Sequence, residues 1–187
     1  KMCSGDIIGT VMSDDFLKND YVLEKIVECF ENSNADIVYG DLDFESEGKI
    51  IRKWEAGHFN TFKFYLGWMP PAPSVYQKKH VIEKNNLFDL EFQISADYEF
   101  YLRLFFIKNY NIKYLNICFY TLEYGGISNK SVKNILKANI ECYKSWRKNN
   151  LFQLPLIILT KPLLKVFQFK SLKFVLKQYI IPKKTSV

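Results

Sequence analysis

The sequence predicts an α/β protein, a mixed sheet flanked by helices, with a basic amphipathic helical tail. Short apolar segments alternate with segments whose apolar residues recur at helical spacing. Gly, Pro, Asn and Asp clusters separate them. The charge is also divided. Residues 1–107 carry 11 Lys/Arg against 18 Asp/Glu, whereas residues 108–187 carry 15 against 2, a contrast hidden in a net charge of +6. Such a division suits an acidic working part and a basic part that meets an anionic surface.

The first strand spans residues 6–11 and runs into Ser13-Asp14-Asp15. A helix follows over residues 20–32, with Leu23, Ile26, Val27 and Phe30 at helical spacing. Residues 37–40 read as a second strand. Ser46-Glu47-Gly48 turns the chain, and residues 49–54 can return as a hairpin partner. Residues 59–66 are aromatic and suit a helix. Trp68-Met69-Pro70-Pro71-Ala72-Pro73-Ser74 has three prolines in four residues, which forbid helix and central strand and make a rigid, shaped loop. Residues 75–77 re-enter the sheet and 80–85 form a short helix. Ser95 is placed to cap a helix running to about residue 108. Residues 111–120 read as a strand, Gly125-Gly126 breaks the chain, and residues 128–148 form a helix. Residues 151–187 form a separate tail.

Composition limits the function. A chain of 187 residues supports one medium domain with a real core. Four scattered cysteines, no C-x-x-C and two histidines argue against a zinc site and for reduced, buried thiols in a cytoplasmic protein. No signal-peptide pattern opens the sequence, and its longest apolar run, near Leu154–Leu159, falls short of the ~20 residues that span a bilayer. No nucleic-acid motif occurs, and the aromatics sit at core spacing, so nucleic acid is not an expected partner.

Two acidic features carry chemistry. Adjacent carboxylates Asp14 and Asp15 behind a buried strand suit a hard cation, Mg²⁺ or Mn²⁺, bound to a diphosphate. Equally, Ser13 and Asp14 can cap the helix that follows. Asp97 falls in the first turn of its helix, where the backbone dipole favours the carboxylate. Glu99 and Arg103, at i,i+4, can pair and stiffen that helix, leaving Asp97 the unpaired acid. An ordinary first-turn acid would look the same. In the tail, Lys161 and Lys165 share one helical face, and Lys170, Lys173 and Lys177 another. This pattern fits either an interfacial helix on anionic lipid or a helix packed on the domain with its lysines in water.

Together these segments resemble the family 2 glycosyltransferases of the GT-A fold, especially bacterial enzymes that build surface polysaccharide. Gly5-Asp6-Ile7-Ile8-Gly9 with Ser13-Asp14-Asp15 resembles the strand and D-x-D-type turn. Asp36-Ile37-Val38-Tyr39-Gly40-Asp41 resembles the next strand, and the 69–74 loop the acceptor-side loop. Leu87-Phe88-Asp89 with Ala96-Asp97-Tyr98-Glu99 and Leu102-Arg103 resembles the catalytic-base helix. Gly125-Gly126-Ile127-Ser128 resembles a loop near the donor phosphates. The resemblance implies a partial, Rossmann-like GT-A domain over residues 1–150 and a membrane-associating tail over 151–187. It implies inverting, metal-dependent transfer of a sugar from a nucleotide-sugar donor to a saccharide or polyprenyl-linked acceptor. Asp97 would be the catalytic base and Asp15 the ligand of Mn²⁺ or Mg²⁺. Asp14, Asp15, Gly126 and Ser128 would bind the donor, and Trp68, Met69, Pro70 and Pro71 would form the acceptor side. Glu99 and Arg103 would give support. The expected location is the cytoplasmic face of the bacterial plasma membrane.

The sequence departs from the family pattern in three ways. Ser13 replaces the leading acid of the D-x-D turn. Ala72 stands where related sequences often place histidine. The strands and the nucleotide-base pocket of the family's N-terminal half have no counterpart, so this chain alone is expected to be inactive or very weak, with one side of its sheet unpaired. The rival reading is an inactive fragment or pseudo-enzyme that binds a membrane or a partner chain. A nucleotidyltransferase would want a basic, glycine-rich triphosphate loop, which the sequence does not show.

Overall fold

The computed structural model describes residues 3–11, 15–85, 87–123 and 132–152, together with Ile158, Thr160, Lys161 and Leu163. The chain runs β1 (Ile7–Gly9), β2 (Asp15–Leu17), α1 (Val22–Glu31), β3 (Ile37–Ser46), β4 (Lys49–Trp54) and α2 (Thr61–Tyr65). A 3₁₀ turn (Ala72–Ser74) leads into β5 (Val75–Lys78) and α3 (Lys79–Glu83). Then come α4 (Ala96–Tyr101), continued by a π-helical stretch (Leu102–Ile107), β6 (Ile112–Glu123) and α5 (Val132–Lys148).

The sheet is built around β3. Its order is β1-β5-β3-β6-β2, with β4 also paired to β3. β6 runs parallel to β3 and every other pairing is antiparallel, which makes the sheet mixed as expected. β3 is long enough to hold two partners in succession on one side, β5 along Ile37–Tyr39 and β4 along Leu42–Ser46. Glu47 (φ 53°) and Gly48 (φ 72°) both adopt the left-handed conformation, the two-residue turn whose twist matches a hairpin.

Side-chain alternation along β3 feeds two cores. Ile37 and Tyr39 join Phe64, Tyr98, Leu102, Leu104 and Trp146 beneath α2, α4 and α5. Val38 and Leu42 join Val22, Ile26, Phe30, Phe119 and Tyr120 beneath α1. A strand buried on both faces reads as a continuous apolar run, and Ile37-Val38-Tyr39 does. Gly40 is the exception that close approach demands. A Cβ there would collide with the Phe119 ring and lie 2.8 Å from the Ile117 carbonyl oxygen. Backbone on the neighbouring strand yields little, so Gly40→Ala is expected to cost about 1–3 kcal/mol, read as a lower midpoint in urea unfolding.

Several expectations require correction. The chain forms β2 before α1 rather than passing directly into the helix. α1 buries Val22, Ile26 and Phe30, while Leu23 and Val27 stay 46% and 42% exposed. β3 extends to Ser46 instead of ending at Gly40. Ser95 occupies the N-cap of α4, yet its hydroxyl makes no cap bond. It donates instead to the Ala138 carbonyl at 2.9 Å. The helix after Ser95 is not regular to residue 108, because the Lys108 amide reaches back five residues to the Arg103 carbonyl (3.1 Å). All four cysteines are free, but only Cys142 is buried and Cys3 is exposed.

Candidate active site

Asp97 enters the first turn of α4, and its carboxylate folds back to accept the Tyr98 amide at 2.7 Å. Burial pushes its pKa up from the ordinary carboxylate value. The positive charge of Lys161 and the amides of Tyr98 and Asp97 itself oppose this without cancelling it. The helix terminus therefore favours the anion, as the sequence suggests, but desolvation outweighs it. Part of the residue still reaches solvent. Among the described residues no ion pair engages Asp97, whereas Glu99 is fully committed.

Glu99, 2% exposed, takes Arg103 Nε at 2.7 Å and Nη2 at 3.0 Å, a two-pronged i,i+4 pair. Asn149 Nδ2 adds a third bond to Glu99 at 3.0 Å, and Arg103 Nη2 also donates to the Leu87 carbonyl at 2.9 Å. The pair thus ties α4 to the end of α5 and to the segment before α4.

The proline-rich loop is brought to this helix. The Tyr101 hydroxyl donates to the Ala72 carbonyl at 3.2 Å. Burial raises the Tyr101 pKa, and the charge of Asp97 raises it further, so the phenol stays protonated beside the carboxylate. Ser74 Oγ donates to the carbonyls of Gly40 (2.7 Å) and Pro71 (2.9 Å), locking the loop to β3. Trp68 Nε1 donates to the Ala56 carbonyl at 2.9 Å, and its ring sits among Tyr39, Phe59, Phe64 and Phe105. Met69, Pro70 and Pro71 are buried, while Ala72 and Pro73 are partly exposed. The first three shape the loop from beneath, and the last two lie on its accessible side.

The donor-side residues are less fully placed. Asp15 lies in β2 opposite Leu122 of β6. Asp14, Gly126 and Ser128 lie outside the described residues. Among the described residues no group of three His, Cys, Asp or Glu side chains could hold a metal ion. Mg²⁺ is usually held by one or two carboxylates together with substrate phosphates, so the expected cation does not require such a group. A second acidic pair, Asp41-Leu42-Asp43 on β3, is occupied structurally. Asp41 accepts the Ala56 amide (2.8 Å) and the Tyr114 hydroxyl (2.8 and 3.0 Å). Asp43 pairs with Lys18 at 2.9 Å.

Sequence reasoning missed four residues around Asp97. Trp146 Nε1 donates to the Tyr98 hydroxyl at 2.9 Å. Lys161 holds its ammonium 4.2 Å above the Tyr98 ring and 2.9 Å from Cys142 Sγ. Asn149 braces Glu99, and Glu141 of α5 accepts the amides of Ile94 and Ser95, both at 2.9 Å. The one available signal was Glu141, one of only two acids in residues 108–187. Ile158 packs against the first core, so this part of the tail touches the domain. No helix of the described residues is long and apolar enough to cross a membrane. Removing the positive charge with Lys161→Met is expected to raise the Asp97 pKa further, read in a carboxyl ¹³C NMR titration.

The mixed sheet with flanking helices matches a partial glycosyltransferase fold. No family model matches the chain, and no curated protein does. Among solved structures it is similar to S. aureus TarS 1-349, a glycosyltransferase. The TarS structure in complex with UDP has a TM-score of 0.52 at 16% identity, covering 95% of this chain and 52% of TarS. A second TarS structure has a TM-score of 0.55 at 16% identity, covering 96% and 52%. The chain therefore spans about half the length of the solved structures it matches.

Proposed function

We propose that this chain carries the C-terminal part of an inverting, metal-dependent glycosyltransferase of the family 2 type. One observation carries the reading. Among the described residues Asp97 makes no ion pair, and it stands at a helix start whose Tyr101 holds the rigid loop that Ser74 locks to β3. That is the setting a general base needs against an incoming hydroxyl.

In this reading Asp97 takes the proton of an acceptor hydroxyl while the oxygen of that hydroxyl bonds to the anomeric carbon. The bond from that carbon to the donor phosphate oxygen breaks, the nucleoside diphosphate leaves with the electron pair, and the configuration inverts. Asp15 would hold Mn²⁺ or Mg²⁺, which supplies charge stabilisation to the departing diphosphate when bound, and Asp14 would contact the nucleotide or donor sugar. Gly126 and Ser128 belong to the donor side. UDP in the TarS structure supports a nucleotide-sugar donor. The loop from Trp68 to Pro71 sets the floor of the acceptor side, with Ala72 leaving space where an imidazole would stand. Residues 151–187, rich in lysine, would bring the site to an anionic membrane surface carrying a polyprenyl-linked or saccharide acceptor.

The test is turnover of UDP-sugars with Mn²⁺, for this chain and for the chain extended by its upstream coding sequence. Metal-dependent transfer or hydrolysis by the extended chain is expected, abolished by EDTA, with little or none by the chain alone. Absence of turnover in both, with retained binding to anionic vesicles, would favour an inactive membrane-binding module instead.

A further inference from the structure

We propose that Glu141 is the positioning residue that fixes Asp97, clamping the start of α4 from α5. The clamp rests on the reading of Asp97 as the base for its purpose, and on geometry alone for its existence. Glu141 Oε2 accepts the amides of Ile94 and Ser95, both at 2.9 Å, three and two residues before Asp97. These amides precede α4, where the backbone has no helical partner to offer them. The residue is 7% exposed, so its bonds act away from bulk water.

Other contacts hold the same segment, but more weakly. Lys148 pairs with Asp89 (2.5 Å) and Glu91 (2.6 Å), and Lys137 with Gln93, all across exposed surface that water and salt screen. Ser95 adds its hydroxyl bond to the Ala138 carbonyl, on the same helix one turn before Glu141. The side chain of Ser95, a good cap by type, is therefore engaged by α5, and Glu141 accepts the backbone amide of Ser95 itself. A carboxylate from one helix holds the backbone that leads into another, coupling the position of Asp97 to the seating of α5. Trp146, one turn and a residue further along α5, repeats the coupling through the Tyr98 hydroxyl.

Two substitutions separate reach from charge. Glu141→Gln keeps an acceptor oxygen at the same distance, and Glu141→Asp keeps the charge but shortens the side chain by one methylene. Amide hydrogen exchange at Ile94 and Ser95 and the ¹³C titration of the Asp97 carboxyl are read in the 187-residue chain. E141D is expected to speed exchange at both amides about tenfold or more. It is also expected to move the Asp97 titration down toward the ordinary carboxylate value as water reaches it. E141Q is expected to remain within about threefold of the parent in exchange and to leave the titration in place. E141D with either readout unchanged, or E141Q exchanging tenfold faster, would overturn the clamp. If E141D does not fold, E141Q alone decides. Neither readout needs sugar transfer, so loss of the clamp and loss of the proposed activity are distinguishable.

Discussion

Asp97→Asn is expected to reduce transfer by about 10²–10⁴-fold while leaving the fold at least as stable as the parent. The amide keeps the shape and still offers an oxygen to the Tyr98 amide, but it cannot take a proton from an acceptor. Stability should not suffer, because the parent carboxylate is held where burial disfavours its charge. The sign follows from linkage. The folded-state pKa lies above the unfolded one, so the folded chain binds more protons at this site, and its contribution to stability falls as pH rises above the ordinary aspartate value of 3.8. Asn removes that slope. Thermal midpoints of parent and variant compared from acid to neutral pH should converge at low pH, with the variant equal or higher at neutral pH. A functional carboxylate kept at a cost to the fold is the usual mark of a working site. A variant that is clearly less stable at neutral pH would mark Asp97 as a structural cap.

The largest stability effect is expected at Arg103. Arg103→Met removes the guanidinium that meets Glu99, whose side chain is only 3% exposed, and strands a buried carboxylate. Breaking such a pair costs about 3–5 kcal/mol. The double variant Glu99→Leu with Arg103→Met should recover much of the loss, because two apolar groups need no partners, although Asn149 Nδ2 then loses its acceptor. Urea unfolding of the two singles and the double gives the coupling directly. Additive losses would mean that the bidentate geometry contributes little and that α4 and its π-helical continuation are held by their apolar residues, Tyr98, Leu102 and Phe105.

Several parts of this arrangement are visible in the sequence because they depend on near neighbours. The Ser46-Glu47-Gly48 turn, the i,i+4 spacing of Glu99 and Arg103, and the prolines of the 70–73 loop each act within a few residues. What the sequence hides depends on partners far along the chain. In the sequence β3 reads as ending at Gly40 because acids follow, yet Asp41 is satisfied by Ala56 and Tyr114, and Asp43 by Lys18, while Leu42 and Phe44 continue the apolar alternation. β2 is three residues long with Phe16 72% exposed, too short and too solvated to show a period. Ser95 has the right residue type for a cap, but α5 offers its hydroxyl a competing acceptor. The rise in the Asp97 pKa could not be read locally either, since it comes from burial among the side chains packed around α4, and the charge that opposes it is on Lys161, 64 positions away.

The pH profile of kcat/KM for transfer by the upstream-extended chain, measured beside its Asp97→Asn counterpart, is the most direct measurement. A base raised by burial predicts an acid limb centred above the ordinary aspartate value, with rate falling as pH drops through it, and a slow residual rate without that limb in the variant. Transfer by the variant at the parent rate, or with the same acid limb, would contradict the assignment of Asp97 as the group that deprotonates the acceptor.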